Sequence, residues 1–153
     1  MKIAICLVTY LVTWTMISLN LAVAELGGGA NSISSDHIAL HAKYRRSIVK
    51  ENYTVEEITA NAATVREYVS QTGVVFGICW DGHSHPDLMQ LLGKYSSEYS
   101  DSRKNKAKKF GSRRQKLTTK NMIVEKWGHM RSLKGRAYVP TLLPTGVSVD
   151  EIK

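Results

Sequence analysis

Residues 74–80 read Val-Val-Phe-Gly-Ile-Cys-Trp, the most apolar run in the chain after its N-terminal segment. A short apolar run rich in β-branched and aromatic residues is typical of a buried β-strand. Because alternate residues of a strand share a face, the larger side chains should form one core-facing set: Val74, Phe76, Ile78 and Trp80. The opposite face would carry small side chains, so another segment should pack closely on it: Val75, Gly77 and Cys79.

Four further strands are predicted around this run. Tyr53–Thr59 and Thr64–Ser70 precede it, whereas Met122–Trp127 and Met130–Val139 follow it. The connections within each group are short, which favours antiparallel pairing. We therefore expect an antiparallel sheet of about five strands.

Two amphipathic helices are predicted to pack on this sheet. The first covers residues 35–48, where three apolar residues follow at a spacing of four: Leu40, Tyr44 and Ile48. The second begins after Pro86 and Asp87, and its apolar stripe has helical spacing: Leu88, Leu91, Leu92, Tyr95 and Tyr99. The element order α-β-β-β-α-β-β predicts the α+β class.

Residues 1–24 have the pattern of a secretion signal. Lys2 precedes an apolar block that ends in Ala22-Val23-Ala24, and a signal peptidase recognises small residues at such positions. The alternative is an uncleaved membrane anchor, since about 20 apolar residues span a bilayer. Polar residues dilute the block and no basic cluster follows it. We expect cleavage after Ala24, with no membrane span left, and a single periplasmic or secreted domain over residues 25–153.

Two histidines just behind the apolar strand are candidate metal ligands. In an extended backbone the pair His83 and His85 would point both imidazoles the same way. Spacing alone places no third ligand, and the alternative is a pair of exposed loop residues. Cys79 with His83, His85 or His129 as its base could form a Cys/His enzyme. The mid-strand position of Cys79 instead favours a buried, inert thiol.

Residues 101–120 form a polar and strongly basic segment in a chain of net charge +8. So polar a segment buries little apolar surface, and we expect a mobile surface loop. Its cations are a candidate anion-binding set: Arg103, Lys104, Lys106, Lys108, Lys109, Arg113, Arg114 and Lys116. In an exported protein the expected partners are anionic envelope lipid, acidic polysaccharide or an envelope protein, and not nucleic acid. The alternative is a solvated loop without a ligand.

Three sets of sequence blocks carry a resemblance to a known family. They are residues 64–69 with 73–76, residues 86–88 with 91–93, and residues 128–131 with 135–138 and 143–147. Together they resemble an exported proteobacterial family of unknown function, DUF2844, from about Tyr53 to Lys153. The resemblance implies an envelope or secreted location and brings no activity with it.

The polar residues inside these blocks are candidates for a site that the family shares: Arg66, Glu67, Asp87, His129, Arg131 and Arg136. Their alternative role is structural, as cross-strand ion pairs and a turn histidine. The chain has no P-loop, dinucleotide fingerprint or paired-carboxylate pattern, so no cofactor is predicted.

The sequence supports three hypotheses of function. The first is a non-enzymatic accessory or binding module for an anionic envelope component. The second is a metal-dependent or Cys/His enzyme that uses His83, His85, His129 and Cys79. The third is a structural protein that assembles through an exposed sheet edge.

Overall fold

The computed structural model describes residues 26–29, 44–105 and 113–153. Within these ranges seven strands form one antiparallel sheet. They are β1 (Tyr44–Val49), β2 (Tyr53–Thr59), β3 (Ala63–Ser70), β4 (Val75–Gly82), β5 (Arg114–Thr118), β6 (Ile123–His129) and β7 (Ser132–Tyr138). Their order across the sheet is β1-β2-β3-β4-β7-β6-β5, so β4 is the central strand.

A helical segment joins the two halves of the sheet. It leaves β4 and comprises the short helix α1 (Leu88–Leu91), a 3-10 turn (Gly93–Tyr95) and the helix α2 (Ser96–Asn105), and the chain then enters β5 at the far edge. Asp87 caps α1, because its Oδ1 accepts a hydrogen bond from the Met89 amide at 2.9 Å. None of the helices in the described residues is long and apolar enough to cross a membrane.

Each face of the sheet has its own apolar core. The helix-side core lies under the helical segment and includes Leu26, Ile58, Val65, Val75, Ile78, Trp80, Leu91, Leu92 and Val124. The tail-side core lies under the C-terminal tail, residues 140–153, and includes Tyr53, Val55, Tyr68, Phe76, Cys79, Tyr138 and Ile152. Because both faces are covered, β4 is apolar along most of its length.

A β-bulge reverses the facing of side chains at the start of β4. Tyr68 lies opposite Gly77 but Val69 lies opposite Val75, so Phe76 is the additional residue. Phe76 joins the tail-side core, whereas Val75 joins the helix-side core together with Ile78. The regular alternation predicted for residues 74–80 is therefore wrong at Val75 and Phe76, because the extra residue shifts its phase.

The predicted α+β class, with two helices on a sheet of about five strands, is wrong. Residues 44–48 of the predicted first helix belong to β1, and residues 35–43 lie outside the described residues. A spacing of four residues fits the period of a strand as well as that of a helix, so the pattern did not distinguish them. The predicted second helix exists but is broken at Gly93, whose φ is +46°.

The basic segment 101–120 is not one mobile loop. Residues 101–105 belong to α2, and Arg114–Thr118 form β5, while residues 106–112 lie outside the described residues. Strand β5 is held by its pairing with β6, and Leu117 packs against the helix-side core. The five strands that were predicted are present: Tyr53–Thr59 has the predicted ends, and the other four have shifted ends.

Gly135 is a position where we expect the sheet to tolerate a side chain poorly. A Cβ at this position would collide with the indole of Trp80 and lie 2.7 Å from the Glu125 carbonyl oxygen. The change Gly135→Ala should therefore lower the free energy of unfolding by about 1–3 kcal/mol, measured by urea denaturation. The control is Gly29→Ala, where nothing lies within 4 Å of an added Cβ. Equal stability of the two variants would contradict the prediction.

Candidate functional site

One row of side chains crosses the whole tail-side face, with one residue from each strand. We call it the Cys79 row. In order across the sheet it consists of Arg46, Glu57, Arg66, Cys79, Arg136, Glu125 and Lys116. The charges are symmetric about the thiol, since an arginine lies on each side of it, then a glutamate, then another cation. Opposite charges that face each other across strands stabilise the sheet.

On one side of the thiol, Arg66 binds two carboxylates. Its Nε donates to Glu57 Oε2 at 2.7 Å and its Nη1 donates to Asp81 Oδ2 at 3.0 Å. Burial alone would lower the pKa of Arg66, but the bonds to Asp81 and Glu57 outweigh it and raise the pKa. The charge of Arg66 is therefore fixed and already matched by its neighbours.

On the other side, Arg136 joins the sheet to the tail. Its Nε donates to Glu125 Oε2 at 2.7 Å, and its Nη1 donates to the Val149 carbonyl oxygen at 2.8 Å. Lys116 Nζ lies 3.2 Å from Glu125 Oε1. Burial raises the pKa of Glu125, but the bonds to Arg136 and Lys116 exceed this effect and lower it. Glu125 is thus held as a carboxylate between two cations.

Cys79 itself is buried, with 3% of its surface exposed. The Tyr68 hydroxyl lies 3.7 Å from its Sγ. Burial raises the pKa of the Cys79 thiol, although Tyr68 and Arg66 act in the opposite direction. A nucleophilic cysteine requires an accessible thiol with a lowered pKa. The setting of Cys79 therefore disfavours that role.

Tyr68 also anchors the tail over the thiol. Its hydroxyl donates to the Lys153 main-chain oxygen at 2.8 Å and accepts from the Lys153 amide at 3.0 Å. Tyr53 adds a second anchor, because its hydroxyl donates to Glu151 Oε2 at 2.8 Å. Between the anchors, Ile152 is fully buried over Gly77, where a Cβ would lie 2.7 Å from its Cδ1. The small residue on this face thus makes room for the tail, as the sequence predicts.

The two histidines that follow β4 in the chain have different partners. His85 Nδ1 accepts a hydrogen bond from Trp80 Nε1 at 2.8 Å, so its ring is neutral and carries its proton on Nε2. His83 is exposed, and its Nδ1 lies 3.0 Å from the Arg131 carbonyl oxygen. In the described part of the chain, no three His, Cys, Asp or Glu side chains are grouped to hold a metal ion. A metal site at His83 and His85 stays a prediction without a third ligand there.

The basic residues of α2 and β5 lie at the β5 edge of the sheet, those of α2 on the helix-side face and Arg114 and Lys116 on the tail-side face. Helix α2 packs beside β5 and β6, since Lys126 Nζ donates to Tyr99 Oη at 2.7 Å and Asn121 donates to Glu98. The exposed cations of this basic flank are Arg103 and Lys104 in the last turn of α2, and Arg113, Arg114 and Lys116 at β5. Lys106, Lys108 and Lys109, from the same predicted anion-binding set, lie outside the described residues.

Comparison with known proteins assigns the chain to a family. A model of the family described as "Protein of unknown function (DUF2844)" matches residues 22–152. The chain belongs to this family. Neither curated proteins nor solved structures give a match. The match includes all seven strands, so the whole Cys79 row lies within the DUF2844 domain.

The six polar candidates occupy several places in the DUF2844 domain. Arg66 and Arg136 flank Cys79 in the row, whereas Asp87 caps α1. Glu67 is fully buried on the helix-side face, directly opposite Glu56 of β2. The last two, His129 and Arg131, lie at the β6–β7 turn. These residues therefore do not form a single constellation.

Sequence reasoning missed the partners that complete the row. Glu57, Glu125 and Tyr68 each lie in a correctly predicted strand. A signal was present, because several strands carry one charged residue among apolar neighbours of the same face. Without the register, these charges had no visible partners. The pairing across the DUF2844 domain became visible only with the order β4-β7-β6-β5.

His85 should make the stability depend on pH. Burial, and then the charge of Lys126, lower the pKa of His85 from its ordinary 6.5. The unfolded chain then binds a proton more readily than the folded chain, so stability falls as the pH drops below about 6.5 towards the folded-state pKa. The variant His85→Gln should lose this part of the slope in urea titrations between about pH 8 and 5. The exposed His83→Gln variant is the control, and identical slopes for all three proteins would refute the assignment.

The Cys79 thiol should be unreactive in the native protein. In a Cys6→Ser background, disulfide reagents should modify Cys79 more than about a hundredfold slower than in concentrated denaturant, because reaction requires opening of the tail-side core. Tyr68→Phe removes a tail anchor and should raise the native rate. Native modification as fast as in the unfolded chain would show that the thiol is accessible.

Proposed function

We propose that this protein is an exported, non-enzymatic accessory domain that binds an anionic component of the cell envelope. The observation that carries the proposal is the basic flank, where the last turn of α2 and strand β5 present cations to solvent. Residues 1–24 support export through their signal-like order of charge, apolar block and small residues. Phosphate groups of lipids and acidic groups of polysaccharides share the chemistry that such a flank attracts.

The arrangement of β5 suits a large, repetitive ligand better than a small one. β5 is an edge strand, and four of its five side chains are exposed. An open basic strip of this kind encloses no ligand, but it can lie along an extended anionic surface. Each cation close to such a surface contributes about 1 kcal/mol, and salt screens the attraction within roughly 10 Å.

The chemistry of the other candidate residues supports the same proposal. Cys79 is buried under the anchored tail, and His85 Nδ1 is occupied by the Trp80 indole. Arg66 and Arg136 are bound by carboxylates of their own row. Within the described residues, the flank exposes Arg103 and Arg113, together with Lys104, which lies 3.6 Å from Asp101, and Lys116, which lies 3.2 Å from Glu125. The signal-like residues 1–24 favour a location where anionic surfaces are common.

The test is binding to phosphatidylglycerol vesicles and to dextran sulfate at low and high salt. The double variant Arg103→Glu with Arg113→Glu should reduce affinity for at least one of these probes by at least about tenfold, since it replaces attraction by repulsion on the flank. The control, Lys50→Glu with Lys153→Glu, makes the same change in net charge at exposed positions outside the flank. Its affinity should fall by less than about threefold.

Two results would overturn the proposal. One is the lack of binding of the wild type to either probe at low salt. The other is an equal loss for the flank variant and the control, because this would show a response to net charge alone. Unfolding temperatures of all variants would show that the substitutions leave the fold intact.

A further inference from the structure

Met130 lies at the tip of the β6–β7 hairpin with 91% of its surface exposed. The hairpin closes at the pair His129 and Ser132, so Met130 and Arg131 form the turn. Its neighbours at the tip, His129 and Arg131, are exposed basic residues. An apolar side chain is thus presented to solvent between two groups that can carry positive charge.

The turn holds Met130 in a defined position. Arg131 has φ +64°, and Gly128 has φ +120° at a point where a Cβ would collide with the Ser132 carbonyl oxygen. The Arg131 carbonyl oxygen lies 3.0 Å from Nδ1 of His83, which ties the tip to the loop after β4. Because the turn already holds the Met130 side chain outward, less conformational entropy is lost when it binds a ligand.

Behind the tip lies a second layer with the composition of a membrane interface. Trp127 is half-buried, and in the register of the sheet it lies directly between Arg114 and Lys134. Tryptophan is enriched at the level of lipid head groups, where its ring contacts both apolar and polar surroundings. Gly128 and His129 separate Trp127 from Met130, a distance of at most roughly 10 Å along the chain.

These two layers match the structure of an anionic bilayer. Residues that anchor at an interface reach about 5–10 Å into the head-group and acyl boundary. With Met130 at that depth, Trp127 lies at the head groups, and Arg114 and Lys134 face the phosphates. Asp81, which lies opposite Lys134, shares Arg66 with Glu57, so these three residues together contribute one negative charge against the two cations Arg114 and Lys134.

We propose that the β6–β7 hairpin inserts Met130 into an anionic lipid bilayer, so that lipid and not polysaccharide is the component bound. This inference rests on the proposed function and adds its partner. Polysaccharide chains carry acidic groups but have no apolar layer to accept Met130, whereas a bilayer offers both. The basic flank attracts the anionic membrane at long range. The hairpin makes the close contact, which is stabilised by burial of the apolar Met130 side chain.

The experiment compares the wild type with Met130→Gln and Met89→Gln. Met89 is the matched control, because it is an exposed methionine on α1, with 46% of its surface exposed. All proteins are purified in the same form, so any contribution of residues 1–24 is common to them. The probes are vesicles of phosphatidylglycerol with phosphatidylcholine, and dextran sulfate.

Met130→Gln should lower the affinity for vesicles by roughly tenfold or more and leave the affinity for dextran sulfate unchanged. Met89→Gln should change neither affinity. Vesicle binding that is insensitive to Met130→Gln, or binding of dextran sulfate alone, would overturn the lipid inference and leave the proposed function standing. If the wild type bound neither probe, both the proposed function and this inference would be contradicted.

Discussion

The contact between Trp80 and Gly135 is the constraint on which the rest of the structure depends. Trp80 is the largest fully buried side chain in the described residues, and it lies on the central strand. Its indole occupies the space that a side chain on β7 would need, so that glycine is required directly opposite. This close contact brings the two halves of the sheet together at β4 and β7. The indole N–H then fixes His85, and with it the start of the helical segment.

A similar contact between a glycine and a large side chain occurs on the tail-side face, with the two roles exchanged. There the glycine, Gly77, is on β4, and the large side chain, Ile152, comes from the tail. The Cys79 row is adjacent to this contact. It lies between the apolar tail-side core and the more exposed part of the same face. The small Cys79 thiol lies at the centre of the row. Each of the two arginines beside it points away from the thiol, along the row, to a glutamate. Charges so paired across strands stabilise a register in which a slip by one residue would place each charge in an apolar core.

Much of the sheet could be predicted from the sequence, because five strands have clear apolar or alternating patterns. Three features could not. Tyr44–Val49 has a spacing compatible with helix and strand, and only the pairing with β2 decides between them. Arg114–Thr118 has one apolar residue, Leu117, so its strand character comes from β6 and not from local propensity. The bulge at Phe76 changes the phase within a single apolar run, which an alternation argument assumes to be regular.

The candidate site could also be predicted only in part, because its residues pair across strands that are distant in sequence. These pairs also indicate which part of the surface is left for recognition. The family resemblance identified Arg66 and Arg136 as candidates, but their carboxylate partners are distant in sequence and depend on the register. Once paired, these arginines have little charge left for a ligand. The edge strands β1 and β5 are basic, with Arg45 and Arg46 on one and Arg114 and Lys116 on the other, and like charges oppose edge-to-edge assembly of copies. In the described residues, exposed cations lie beside β5, at Arg103 and Arg113, and at the β6–β7 hairpin, at Arg131, and this is the part of the domain that we propose meets an anionic surface.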